Sequence, residues 1–344
     1  MNEVLTQTHG HLGLITLNRP QALNALTEPM CVAIHTALNG FALDPAVRVV
    51  AIEGAGERAF CAGGDVVQMH ADGRAGSPGW EAFFATEYRM NAAIARFPKP
   101  FVAMMDGVTM GGGVGVSIHG SHRVATERTL WAMPETGIGM VTDVGSTYPL
   151  ARLRGHLGAF LGLTGARLDG AETLACGIAT HHVPSAGLKM VKAALADGAV
   201  PEAALAAASV PPLPARLDAN HARIDGLFAG DTVEAIVAAL EADSGEWATK
   251  EAATLATKSP TALKLVIELL RRGAAAADVG EALANEYRVV CALKHGHDFY
   301  EGVRAQLIDK DRAPKWQPAT LAEVSDADVA GYFAVPPGGD LAPS

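Results

Sequence analysis

Twice in the first half of this chain, a short apolar strand runs into a glycine-rich turn and out into a helix. The first junction joins residues 47–53 (VRVVAIE), through residues 54–65 (GAGERAFCAGGD), to a helix over 66–70. The run 47–53 lacks alternation, so it reads as a strand buried on both faces. The second junction joins residues 101–105 (FVAMM), through Asp106-Gly107, to a helix opened by Gly111-Gly112-Gly113. Upstream, residues 11–18 (HLGLITLN) alternate as a half-buried strand does. Residues 24–38 read as a helix with Thr27 as N-cap and Pro29 in its first turn. This succession predicts an α/β fold. Glycine admits close approach of main chain to a ligand, and a glycine-opened helix offers bare N–H groups to an oxyanion. Two such loops aim two N–H groups at one point. The pattern is not a dinucleotide fingerprint: G-x-G-x-x-G fits residues 111–115 badly, and no acidic partner follows.

Behind the second junction, residues 110–146 read MGGGVGVSIHGSHRVATERTLWAMPETGIGMVTDVGS. A strand-like run over 123–133 ends at Pro134-Glu135-Thr136, and Asp143 follows. Two carboxylates close behind a glycine-opened helix are the residue types for acid–base or nucleophilic work. Each also has a plainer reading, Glu135 as a capping carboxylate after Pro134 and Asp143 as a turn-former before Gly145. Glu87 sits among Phe83, Phe84 and Tyr88 on a helix over 80–97, either at the surface or aimed into a cleft. Asp65 reads as the N-cap of the helix behind it. Residues 115–120 (GVSIHG) are one residue too long for a nucleophile elbow, which leaves Ser117 as a packing residue. His181-His182 and His295-Gly296-His297-Asp298 lack a third ligand at useful spacing, so no metal is expected.

The net charge of −10, from 27 basic and 37 acidic side chains, argues against a nucleic-acid binder. Four separated cysteines, Cys31, Cys61, Cys176 and Cys291, read as reduced structural thiols and point to a reducing compartment. No signal or transit pattern is read at the N-terminus and no apolar run is long enough to span a bilayer, so the expected location is cytoplasmic, without membrane contact. From residue 184 alanine and proline rise. The expected organisation is a core with the ligand site over 1–195, an Ala/Pro-rich linker with one helix over 196–246, marked by Pro211, Pro212 and Pro214, and a helical region over 247–344.

Cys61-Ala62-Gly63-Gly64-Asp65, Met110-Gly111-Gly112-Gly113-Val114-Gly115 and Met133-Pro134-Glu135-Thr136 together resemble the crotonase (enoyl-CoA hydratase/isomerase) superfamily. The resemblance runs from LNRPQALNAL (17–26) to HDFYEGVRAQLIDKDRAPKW (297–316), most of the chain. The last segment, with Asp143, favours the 3-hydroxyisobutyryl-CoA hydrolase subfamily. The resemblance implies a right-handed spiral of ββα turns, with roughly perpendicular sheets and a helical C-terminal region. It implies an acyl-CoA substrate that brings its own coenzyme A, so no separate cofactor, and a homo-oligomer. It implies an oxyanion hole from the N–H groups of Gly64 and Gly112, and substrate contacts from Glu87, Gly112, Glu135 and Asp143. Hydratases place the first of two catalytic glutamates just after the glycine triplet, where this chain has Gly115. The second matches Glu135, and Asp143 stands where hydratases commonly have glycine. The expected activity is therefore hydrolysis of a short 3-hydroxyacyl-CoA thioester, as in valine catabolism. Glu135 would attack directly or as the base for water, and Asp143 would hold the substrate hydroxyl or manage protons. The alternatives are hydratase or isomerase activity, or a catalytically silent acyl-CoA-binding protein. Arg19, Lys99, Arg123, Lys310 and Lys315 are the basic candidates for the CoA phosphates.

Overall fold

The computed structural model describes residues 2–211 and 214–342. Its strands are β1 (Val4–His9), β2 (Leu12–Leu17), β3 (Val49–Gly54), β4 (Ala59–Cys61), β5 (Phe101–Met105), β6 (Val108–Met110), β7 (His122–Ala125), β8 (Leu130–Ala132), β9 (Leu168–Asp169) and β10 (His181–His182). They form a six-stranded sheet, β1-β2-β3-β5-β7-β10, and a four-stranded sheet, β4-β6-β8-β9. Both are parallel except at the pairs β1–β2 and β8–β9.

The chain crosses between the sheets in a repeating order. β3 leads to β4 and then to helices Val66–Arg74 and Gly79–Ala95; β5 leads to β6 and helix Gly112–Ile118; β7 leads to β8 and the 3-10 turn Glu135–Ile138. Each cycle is one ββα turn of the spiral that the resemblance implies. The strand read over 123–133 is thus two strands in two sheets. Thr126 and Thr129 make the corner: the Thr126 N–H donates to Thr129 Oγ1 at 2.7 Å, and Thr129 Oγ1 donates to Met105 O at 2.5 Å. β6 lies beyond the left-handed Gly107 (φ 101°), which turns the chain out of β5. β4 and β6 are too short to carry a periodic sequence signal.

Strands β2, β3 and β5 of the six-stranded sheet are buried on both faces, whereas the edge strand β1 is largely exposed. Ile15, Leu17, Val50, Ile52, Ala103 and Met105 face the main core. Leu12, Leu14, Val49, Ala51, Val102 and Met104 face a second cluster supplied by Val191, Leu195, Ala204 and Leu205. The two clusters revise the reading of residues 196–246. That stretch carries helices Pro201–Ala208, His221–Leu227 and Val233–Ala242 rather than one helix. The first covers the outer face of the sheet through Ala204 and Leu205. The other two join the main core through Ile224, Ile236 and Leu240, so burial and not a linker role organises the segment. Of the three prolines read as linker markers, Pro212 lies outside the described residues. The main core continues without a break through helices Pro260–Ala275 and Val279–Leu293 to Leu341. Among the described residues no helix is long and apolar enough to cross a membrane.

Candidate active site

Parallel pairing of β4, β6 and β8 places three chain exits side by side. Cys61 pairs with Thr109, Thr109 with Trp131, and Met110 with Ala132. The residues immediately beyond are Gly63-Gly64, Gly111-Gly112 and Pro134-Glu135, so strands about 4.8 Å apart deliver both glycine loops and one carboxylate to a common edge.

The glycines are needed there. Gly63 has φ 121° and Gly111 has φ 48°, conformations that side chains with a Cβ rarely take. At Gly112 an added Cβ would lie 2.5 Å from Glu87 Oε1, 3.0 Å from Leu26 Cδ1 and 3.3 Å from the Gly64 nitrogen. Those distances bring the two loops and Glu87 together. The Gly64 and Gly112 N–H groups have no main-chain acceptor among the described residues. The loop carrying Gly64 is pinned to the LNRPQALNAL segment: the Leu26 N–H donates to Gly63 O at 2.8 Å, and the Asp65 N–H donates to Leu26 O at 3.0 Å. Buried Asn24 ties the same segment to Ala55 O and Ala59 O.

The loops open into a cavity of about 460 Å³ whose wall includes Gly64, Gly112, Glu87, Glu135 and Asp143. All five site residues expected from the sequence therefore meet in one place. Glu87, Glu135 and Asp143 are nearly inaccessible (3%, 8% and 5% exposed), against the plainer surface reading of Glu87. Glu87 Oε1 and Glu135 Oε2 have no hydrogen-bond partner among the described residues. Asp143 Oδ2 accepts from the Tyr88 hydroxyl at 2.6 Å. Burial without a paired cation holds the proton on a carboxyl. It pushes Asp143 up to about 7, with the Tyr88 hydroxyl pulling it back. Glu87 and Glu135 are raised well above the carboxylate range, by burial first and by the Asp143 charge second. Lys258, itself lowered by burial, opposes the rise at Glu135.

The Glu135 turn is seated directly on the C-terminal region. A Cβ at Gly139 would collide with the Asp298 main chain, and one at Gly302 with the Ile138 main chain. Helix Asp298–Val303 thus packs backbone to backbone on the turn, which explains why the HDFYEGV segment lacks larger side chains at that contact. Asp298 accepts from Ser259 Oγ at 2.5 Å and from the Gln317 N–H at 2.8 Å, and the Ser259 N–H donates to Thr136 O at 3.2 Å.

The basic residues named as candidates for the CoA phosphates are not part of the cavity wall. Arg19 pairs with Asp65 at 2.9 Å and Glu3 at 3.3 Å. Lys99 donates to Phe41 O and Asp44 O, and Arg123 to the carbonyls of Ile178, Gly120 and Gly177. Lys310 and Lys315 are exposed and do not line the cavity, although Lys310 follows closely on Gln306 and Leu307, which do. The cations in that wall are Arg167 and Lys258, which sequence reasoning misses because neither sits in a motif. In the sequence Tyr88 reads only as an aromatic neighbour of Glu87; its hydroxyl is the feature that matters. Asp65 is a helix cap as well as a partner of Arg19, accepting from the Gln68 N–H at 3.2 Å. Ser117 is buried and donates to Gly113 O at 2.8 Å, a packing role.

Gly115 has no room for a side chain. A Cβ there would lie 2.8 Å from Val144 Cβ and 2.9 Å from Asn91 Nδ2. The volume that a glutamate would occupy is filled.

A ββα spiral with two glycine loops facing buried carboxylates defines a class, and the chain belongs to the enoyl-CoA hydratase/isomerase family, whose model matches residues 12–333. Within it, the chain is 46% identical over 343 residues to the mitochondrial 3-hydroxyisobutyryl-CoA hydrolase of Danio rerio, covering 97% of this chain and 90% of that protein. It is also similar to two solved structures. A carnitinyl-CoA dehydratase from Mycobacterium thermoresistibile is 44% identical with a TM-score of 0.95, covering 100% of this chain and 99% of the other. An enoyl-CoA hydratase from Rhodobacter sphaeroides 2.4.1 is 42% identical with a TM-score of 0.92, covering 99% and 100%.

Proposed function

We propose that this chain hydrolyses a short 3-hydroxyacyl-CoA thioester, with 3-hydroxyisobutyryl-CoA, the substrate named for the curated relative, as its substrate and 3-hydroxyisobutyrate and CoA as products. The observation that carries this reading is the filled space at Gly115. Hydration by two facing glutamates needs a carboxylate there. This cavity instead gathers Glu135 with Asp143 and Glu87.

In this reading the thioester carbonyl oxygen sits between the Gly64 and Gly112 N–H groups. Negative charge grows on that oxygen as the carbonyl carbon is attacked, so the donors stabilise the transition state more than the substrate. Glu135 makes the attack, with its own oxygen or through a water that it deprotonates. The C–S bond breaks, the thiolate takes a proton, and a water supplies the second carboxylate oxygen of the acid. Asp143 has one oxygen occupied by Tyr88, which leaves the other for the substrate hydroxyl or for proton transfer. Glu87, beside Gly112, orients the acyl group. Arg167 and Lys258 supply positive charge in the cavity wall for the anionic coenzyme. The coenzyme is part of the substrate, and no further cofactor enters.

The names of the two solved relatives favour a second reading, hydration or dehydration of an acyl-CoA. The test measures free-thiol release from 3-hydroxyisobutyryl-CoA beside hydration of crotonyl-CoA. Thiol release without hydration is expected. Hydration without thiol release would overturn the hydrolase, and neither activity would leave an acyl-CoA binder. Glu135→Gln is expected to lower thiol release by about a thousandfold or more while the protein still binds the CoA ester. A fully active Glu135→Gln would remove that residue from the reaction.

Four buried free thiols suit a reducing compartment, the cytoplasm or an organelle matrix alike; a cytoplasmic location is part of this reading, and the curated relatives are named mitochondrial. A homo-oligomer belongs to the same reading, and sedimentation of the purified chain tests it.

A further inference from the structure

The turn that carries Asp143 is conformationally unusual and is gripped from a distant part of the chain. Val144 has φ 56° and Gly145 φ 76°. A β-branched residue leaves the left-handed region unless its surroundings over-determine it. On one side, Val144 O accepts from His119 Nε2 at 2.8 Å and from Asn91 Nδ2 at 3.4 Å. On the other stands Glu286, from helix Val279–Leu293, wholly buried at 0% exposure. Its Oε2 accepts the Gly145 N–H at 2.6 Å. Its Oε1 accepts the Thr147 hydroxyl at 2.5 Å and the Thr147 N–H at 3.3 Å. Three donors around two oxygens satisfy an acceptor-only carboxylate. An amide at this position would turn one of its own N–H groups toward a donor.

We propose that Glu286 is a positioning residue, which clamps the Gly145 and Thr147 N–H groups so that the Asp143 carboxyl points into the cavity and Val144 stays closed over Gly115. The proposal rests on the reading that Asp143 takes part in thioester hydrolysis. Glu286 is outside the cavity wall, so it acts through the turn and not on the substrate. Burial raises its carboxyl while the three donated hydrogen bonds favour the anion, so the clamp is complete where Glu286 is ionised. The C-terminal helices thereby enter the chemistry. Without their carboxylate, a main chain that prefers another conformation is free to relax and to swing Asp143 away.

The experiment measures steady-state thiol release from 3-hydroxyisobutyryl-CoA, well below each variant's melting temperature, for Glu286→Gln, Thr147→Val, Thr147→Ser and Asp143→Asn. A displacement of the acting group predicts that Glu286→Gln lowers kcat by about 10- to 100-fold, with KM within about threefold of the parent. Thr147→Val removes one donor and shows a smaller loss in kcat. Thr147→Ser restores that donor and recovers the rate, which a loss of packing alone would not produce. Should Glu286→Gln fail to fold, the Thr147→Val and Thr147→Ser pair decides. Parental kcat in both Glu286→Gln and Thr147→Val, beside an inactive Asp143→Asn, overturns the clamp alone. A change confined to KM also overturns it, since it would make the residue part of substrate binding. A fully active Asp143→Asn removes Asp143 from the reaction and the purpose of the clamp with it.

Discussion

The two glycine loops and the Asp143 turn face one cavity but are held there by different means. The loops leave equivalent ends of β4 and β6, so strand pairing and positive φ fix their N–H groups in the main chain. The turn leaves no strand of its own. It is held by side chains: Tyr88 and Asn91 from helix Gly79–Ala95, His119 from the end of helix Gly112–Ile118, and Glu286 from helix Val279–Leu293. Main-chain donors repeated by a spiral need few specific side chains. A turn held by side chains needs every partner in place, and it is the part of the site through which residues far away in sequence act.

Substitutions can break this contrast. Of the substitutions that test this contrast, Gly112→Ala is expected to have the largest effect. The new methyl would meet Glu87 Oε1 at 2.5 Å and Leu26 Cδ1 at 3.0 Å, so the loop must shift its N–H group. Loss of one oxyanion donor lowers kcat by about 10²- to 10³-fold. Turnover numbers for Gly112→Ala and Glu286→Gln test the order directly, and a milder loss at Gly112 would mean that the turn, not the loops, dominates the site.

A smaller effect sharpens the side-chain half. Glu135 must lose its proton to attack or to deprotonate a water, and burial raises its carboxyl and that of Asp143. So kcat/KM should climb as pH rises through about 7 and above, in a profile that the coupled Asp143 and Glu135 set together. Tyr88 donates to the Asp143 anion and favours it. Tyr88→Phe keeps the ring but removes that bond, so the step in the pH–rate profile should move to higher pH. A step that stays in place or moves lower would show that Asp143 does not set it.

The last effect is on stability. The folded-state pKa of Asp143 is raised from 3.8 to about 7, so the native state holds this proton more tightly than the unfolded chain. Stability is therefore fully present below the unfolded value and is lost as pH rises to about 7. Asparagine escapes that loss and still accepts from Tyr88. The melting temperature of Asp143→Asn relative to the parent should rise between about pH 4 and 7 and level off above. A gap that does not change with pH would mean that the carboxyl is not strained by its burial.

The same contrast governs what is legible in the sequence. Gly63-Gly64 and Gly111-Gly112-Gly113 stand out because a bare main chain demands glycine, and Glu135 because it closes a motif beside them. Asp143 shows in the sequence only as a second carboxylate behind the loop, with a turn-former as its plainer reading. Glu87 stands out only through resemblance, since its own neighbours favour a surface residue. Lys258, Arg167 and Glu286 carry no sequence signal at all. Each sits on an ordinary helix or loop: Arg167 comes to the wall from the loop before β9, and the packing of residues 247–342 onto the spiral brings Lys258 and Glu286 near. β6 and the corner at Thr126–Thr129 escape a sequence reading for a related reason: strands of three residues are made by their partners, not by their own periodicity.

By itself the sequence determined the α/β alternation, the places where the main chain must approach a ligand bare, and the absence of a carboxylate at Gly115. These are local properties of residue type, set by φ, by volume and by charge. Only the tertiary structure decided that β4, β6 and β8 run side by side, that three buried carboxyls share one cavity and so resist ionisation, and that Val144 and Asn91 fill the space beside Gly115. Those are properties of neighbours brought together across the chain. Hydrogen bonds and desolvation act on what surrounds an atom, wherever that neighbour lies in the sequence.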